Sequence, residues 1–193
     1  MKRKSKAVFV IGCLLITGSL IMLAVLQVRV QYAKRTNMEI VQTMESILSD
    51  RREGVIAFET EKDMPVLELN GEDFIALLEI PSLSLKLPVS GMWDKKNVLS
   101  YPCRFCGTSY HGNLVIGGYD QPGQFDFLDE VSDQTMVKIT DMTGQEFCYT
   151  VDCVERSDSA QAEILMDDKA DLTLFVRDAQ LLEYIIVRCV MRN

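Results

Sequence analysis

Short apolar runs broken by turn residues fill the second half of the chain. From Phe74 onward, FIALLEI (74–80), LSLKLPV (83–89), GNLVIGG (112–118), TMVKITD (135–141), QEFCYTVDCVE (145–155), LTLFV (172–176) and YIIVRC (184–189) each have strand length. PS, GMWD, DQPG and DMTG supply turn chemistry between them. In LSLKLPV, Leu83, Leu85 and Leu87 alternate with Ser84 and Lys86, so one face turns to a core and the other to water. MVKITDMTGQEFCYTV reads as a hairpin folded about Asp141–Gly144. Only AEILMDDKA (162–170) and part of DFLDEVS (126–132) have short-helix character. Seven or eight short strands with almost no helix predict an all-β, closed or nearly closed barrel.

The first half follows other periods. Residues 7–28 carry no charged side chain. As a helix they rise roughly 33 Å, enough for a hydrocarbon core of about 30 Å. Lys2, Arg3, Lys4 and Lys6 precede the run, which holds the 1–6 tail in the cytoplasm and the rest outside. Two readings compete with an uncleaved anchor. A cleavable signal peptide needs a shorter apolar region and a small-residue cut site, which QVRVQYAK does not offer. A lipoprotein signal ending at Cys13 leaves too few apolar residues before the cysteine. Ile40, Val41, Met44, Ile47 and Leu48 then recur at helical spacing, predicting a helix over 33–52 that is either a stalk or laid on the domain. Residues 29–72 are therefore taken as helical stalk and linker, with ELNGED (68–73) as a turn, and 73–193 as the barrel domain.

Charge sharpens this division. Seven of the 20 Lys and Arg residues lie in the first 35, and no Asp or Glu appears before Glu39. The rest has 13 basic against 28 acidic residues, a net charge of −15. Phosphate backbones would be repelled, which excludes nucleic acid as a partner class.

Cys103, Cys106, Cys148, Cys153 and Cys189 lie beyond the apolar run, and an odd number leaves at least one unpaired or intermolecular. Disulfides and buried free thiols both remain open. Zinc on Cys103, Cys106 and His111 lacks a second knuckle of matched spacing, and no cofactor is expected. Asp167, Asp168 and Asp171 read as a solvated acidic loop rather than a calcium site. Gly117, Gly118 and Gly123 read as turn glycines, and Trp93 as packed against the barrel rather than as part of a ligand platform.

The segments, in order and spelling, resemble the sortases, cell-envelope transpeptidases of Gram-positive bacteria. LLEIPSLSLKLPV is similar to that family's L-x-I-P-x-[IL]-x-[IL]-x-x-P-V, and GNLVIGGYDQPGQFDFL to GN-x-V-I-A-[GA]-H…F-x-x-L. MVKITDMTGQEFCYTV resembles V-x-[IV]-x-D-x-x-G-x-x-[FY]-x-Y-x-V, and LTLFVRDAQLLEYIIVRC the closing L-T-L-x-T-C…R-x-x-V. The resemblance implies an eight-stranded barrel behind a membrane anchor. It also implies a cleft in which a Cys nucleophile, a His and an Arg cut a Thr-Gly-type amide and pass the acyl group to an amine.

Carried over residue by residue, the three functional positions are all exchanged. The His position falls on Tyr119, the Cys position on Arg177, and the Arg position on Tyr184, with Glu183 in its place if the loop shifts by one. A guanidinium stays protonated and has no accepting lone pair, so Arg177 is no nucleophile. A phenol titrates near about 10 and is a poor proton shuttle at neutral pH. The expectation is an inactive, membrane-anchored sortase relative whose cleft at Tyr119, Arg177 and Tyr184 binds a sorting-signal peptide or assists an active sortase or pilus assembly. The alternative is an active transpeptidase or hydrolase with a relocated thiol, for which Cys106 beside His111 is the first candidate.

Overall fold

The computed structural model describes residues 2–53, 63–128, 130–166, 169–178 and 181–192, with residues 2–11, 26, 29–34 and 51–53 given by backbone alone. Two compact units emerge, Met1–Thr36 and Asn37–Asn193. Helix α1 spans Lys2–Glu53. In the first unit Leu14, Leu15, Ile16, Leu20, Ile21, Met22 and Leu23 are exposed all round the helix. Thr17 and Ser19 return their hydroxyls to backbone carbonyls of Cys13 and Ile16. Among the described residues no helix is long and apolar enough to cross a membrane; the 7–28 run has described side chains only from Gly12 onward, with a gap at Leu26.

In the second unit the strands are β1 (Leu67–Leu69), β2 (Glu72–Ile80), β3 (Leu85–Ser90), β4 (Cys103–Cys106), β5 (Leu114–Tyr119), β6 (Met136–Asp141), β7 (Glu146–Ser157), β8 (Leu172–Arg177) and β9 (Tyr184–Met191), with a one-turn helix α2 (Ala162–Leu165). Their order is β1-β2-β3-β4-β5-β8-β9-β7-β6, and β6 pairs back onto β2. That closure makes an eight-stranded barrel of β2–β9, with β1 as an added hairpin arm. Closing the sheet removes the free edges at which strands from other chains would pair. Pairing is antiparallel except for β3–β4 and β5–β8.

Period-2 alternation fills the barrel. Leu114 and Ile116 of β5, Leu172, Leu174 and Val176 of β8, and Phe147, Tyr149 and Val151 of β7 join one buried core. The apolar faces of β2 serve two clusters: Leu78 and Ile80 face the barrel interior, while Phe74 and Leu77 face out. What covers the outer pair is the second half of α1. Ile40, Val41, Met44 and Leu48 are buried against Phe74, Leu77, Tyr101 and Met142, so this part of the helix lies on the domain rather than standing off as a stalk.

The β6–β7 hairpin closes as predicted. Asp141 Oδ1 accepts from Thr143 N at 2.8 Å, Thr143 Oγ1 at 2.7 Å and Gln145 N at 2.9 Å, and Gly144 takes φ +89°. A carboxylate folded back on its own turn is the usual chemistry of such a loop.

Several local expectations need correction. β3 begins at Leu85, because Pro81–Leu83 form a 3-10 turn that ends on Ser84 in the left-handed region. Proline fixes φ for a turn, and this displaces Leu83 from the strand. The described residues of 126–132 form turns, not a helix. β1 and β4 were not legible, being only three and four residues long. Residues 54–62 of the expected linker, and Asp167 and Asp168, lie outside the described residues.

Candidate functional site

Alternation along β5, β8 and β9 also builds an outer face, and the site grows from it. The cross-strand row Gly117–Phe175–Ile186 is followed two residues on by the row Tyr119–Arg177–Tyr184. Residues two apart on a strand share a face. The sequence-predicted trio therefore stands side by side at the end of three adjacent strands. Neighbouring strands lie about 4.8 Å apart.

Gly117 leaves room for the floor in front of this row. A Cβ there would sit 2.4 Å from Phe175 Cζ and 2.5 Å from Trp93 Cζ3. Gly117 and Gly118 lie inside β5 and not in a turn as expected, and a glycine inside a strand marks such a close approach. Trp93, Phe105 and Phe175 interlock with ring centroids 5.3, 5.6 and 5.7 Å apart, two of the contacts edge-to-face. Together with Val98, Ala160 and Leu182 they line a cleft of about 410 Å³ that also takes in Tyr119, Arg177, Asp178 and Tyr184. Trp93 thus packs on the barrel, as expected, and faces the cleft as well.

Two loops frame the opening. The first, after β5, is tied down by glutamine amides. Gln124 accepts from Tyr119 N and donates to Val98 O at 3.0 Å, while Gln121 donates to Leu99 O at 2.8 Å. Gly118 is pressed against Phe125, whose ring a Cβ would meet at 2.5 Å. The second loop joins β8 to β9. Asp178 N donates to Glu183 O at 2.8 Å, and the Asp178 carboxylate accepts from Leu181 N at 2.9 Å. Arg156 on β7 reaches the same carboxylate at 3.3 Å. Arg177 is exposed, and its guanidinium has no hydrogen-bond or ion-pair partner among the described residues.

Cys106 packs in the cluster that holds Phe105, Phe175 and Tyr184, outside the cleft lining. All six cysteines are free thiols. None lines the cleft. Burial pushes the Cys103 thiol up to about 12, and Cys103 donates to Tyr101 O at 3.3 Å. Burial likewise pushes Cys189 up to about 12. Cys106, half-buried on β4, is also raised by burial. Cys153 is raised by burial and then by the neighbouring Glu155 carboxylate, to which it donates at 3.7 Å. A nucleophilic thiol needs the opposite shift. Cys106 pairs with Val115 near the start of β5, and His111 is exposed on the 3-10 turn before that strand, at the end away from Tyr119. Among the described residues no three His, Cys, Asp or Glu side chains are placed to hold a metal ion.

No single motif marks the cleft floor. Phe105 and Phe175 carry no motif, and the signal that could have found Phe175 is its i, i+2 relation to Arg177 opposite a strand glycine.

The Sortase domain family profile matches residues 78–178, more than half of the chain. No curated protein matches. Among solved structures, sortase A from Corynebacterium diphtheriae is 18% identical, with a TM-score of 0.54 over 86% of this chain and 93% of that one. Sortase C1 of Group B Streptococcus Pilus Island 1 is 19% identical, with a TM-score of 0.57 over 81% of this chain and 84% of that one. Sortase C-1 from Actinomyces oris is 16% identical, with a TM-score of 0.55 over 79% and 99%.

Proposed function

Because the chain belongs to the sortase family, we propose that it is a catalytically silent member of it, anchored in the cell membrane, whose extracytoplasmic barrel holds a peptide without cutting it. One observation carries this reading: the row Tyr119–Arg177–Tyr184 lines the cleft, and no thiol does. Covalent acyl transfer needs a nucleophile with an available lone pair beside a proton shuttle. A protonated guanidinium between two phenols supplies neither. It does supply charge, directed donors and, with the aromatic floor, an apolar surface. Those are the parts of a binding site.

The relocated-thiol alternative has no support in the geometry. Cys106 and His111 belong to no common cleft with Tyr119. The resolved thiol shifts all run away from the thiolate.

The anchor rests on the 7–28 run. Its described residues from Gly12 to Val25 expose apolar side chains on every side of the helix, the hydroxyls of Thr17 and Ser19 bond to the helix's own carbonyls, and the polar Gln27 stands at the outer end of the run. A helix apolar all round suits lipid, where each backbone and side-chain donor must be met internally. The basic residues on its N-terminal side support an orientation with the barrel outside the cytoplasm. A holding function there serves peptide substrates on their way to an active sortase, or a pilus or wall assembly.

The test is turnover set against binding. Purified protein is incubated with a panel of sorting-signal peptides while products are followed by chromatography and the emission of Trp93, the single tryptophan, is recorded. Emission change without product supports the reading. Product formation that alkylation of thiols abolishes sinks it.

A further inference from the structure

The cleft combines an apolar floor with one unanswered charge. Trp93, Phe105 and Phe175 form the floor, and the Arg177 guanidinium stands at its end without a partner among the described residues. Tyr119 and Tyr184 flank the guanidinium in the same row. Asp178, the acidic residue of the cleft lining, is held by Arg156 at 3.3 Å and by Leu181 N at 2.9 Å, while Asp120 and Glu183 adjoin the row in sequence but lie outside the lining. The charge left over in the cleft is therefore positive, inside a domain that is otherwise strongly acidic.

We infer that the cleft captures peptides by their free C-terminal carboxylate, with an aliphatic side chain near that end resting on the aromatic floor. This deepens, and rests on, the reading of the cleft as a peptide site without chemistry. An internal segment presents a neutral amide at any one position and leaves the guanidinium unanswered once water is excluded. A chain that ends there presents two oxygens, which fit the planar fork of an arginine as a bidentate pair. Phenol hydroxyls on either side add donors to the same oxygens. The volume, about 410 Å³, is near the lower end of the roughly 300–1,000 Å³ of small-ligand sites. It suits two or three terminal residues rather than a long acyl chain. The acidic surroundings repel polyanions at long range while a single carboxylate is met at contact.

The experiment uses the full chain in detergent and an acetylated tetrapeptide of alanine, leucine, alanine and threonine in three forms: free acid, C-terminal amide, and extended by two glycines. Affinities come from calorimetry and Trp93 emission, in the native protein and in Arg177→Gln, whose fold is checked by its thermal midpoint. The free acid is expected to bind at least tenfold more tightly than the other two forms. In Arg177→Gln that advantage falls below twofold. Equal affinity for the three forms, a preference that survives Arg177→Gln, or equally tight binding of decanoate overturns the inference and leaves the silent cleft standing. Hydrolysis of the extended form overturns the silent reading instead. No binding of any form overturns both the inference and the peptide-holding role.

Discussion

Tyr119 stands directly opposite Arg177 across the parallel β5–β8 pair. Two positions 58 residues apart in the chain are thereby set side by side at one end of a barrel. Their juxtaposition makes one site of two residues that the sequence keeps far apart. The surrounding architecture makes definite claims about stability, reactivity and binding.

Gly117 keeps the aromatic floor in place. A methyl group there would lie 2.4 Å from Phe175 and 2.5 Å from Trp93, so one ring must move. Gly117→Ala is expected to cost about 1–3 kcal/mol, the usual penalty for overpacking. Urea unfolding measures the loss, and a shifted native Trp93 emission reports the displaced ring. An unchanged emission spectrum would mean the floor is looser than the geometry implies.

Met44 is fully buried where α1 lies on the barrel, between Phe74, Leu77 and Met142. Met44→Ala is expected to destabilise the domain by about 2–5 kcal/mol, as for other buried large-to-small changes. Substituting the exposed neighbour Thr43 by Ala should stay within about 0.5 kcal/mol. Equal effects at the two positions in a denaturant titration would show that the helix is not docked.

Asp141 is buried, and besides its three turn donors it accepts from the Tyr110 hydroxyl. Removing the carboxylate in Asp141→Ala strands these donors at about 1–3 kcal/mol for each buried group left unmet. A loss of about 2 kcal/mol or more is expected by thermal or urea unfolding. Asp141→Asn keeps the accepting Oδ1 and should lose clearly less.

Alkali should weaken the fold. Cys103 and Cys189 are raised from 9.0 to about 12, and Tyr149 from 10.0 to about 12, each chiefly by burial. In these groups the native state keeps its proton after the unfolded chain has released it. Their contribution is thus whole below about pH 9 and falls away as pH climbs toward 12. Each adds at most about 1.4 kcal/mol per pH unit to the slope. Urea midpoints at pH 8, 9 and 10 should decline, less steeply in Cys189→Ala. Iodoacetamide at pH 7 should leave Cys103 and Cys189 unmodified in the native protein.

Much of this was legible in the sequence, and the reasons differ by element. The inward faces of β5, β7 and β8 follow period-2 alternation, and Asp141 with Gly144 spells its own turn. Tyr119, Arg177 and Tyr184 were legible because the motifs around them, from the start of β5 to the end of β9, resemble sortase segments. The floor was not legible. Trp93 and Phe105 meet Phe175 only after the chain has closed into a barrel, and no local pattern records a contact that the fold creates. β1 and β4 are too short for alternation to register. The choice between a stalk and a docked helix for residues 37–53 turned on the outer face of β2, whose Phe74 and Leu77 looked like any other strand residues until the barrel had an inside.

The most direct measurement is the intact mass of the protein after incubation with a sorting-signal peptide, quenched in acid to preserve thioesters. A silent member gains no mass, and the peptide is recovered whole. A mass increase equal to the acyl half of the peptide, mapped to any of Cys103, Cys106, Cys148, Cys153 or Cys189, would contradict the account.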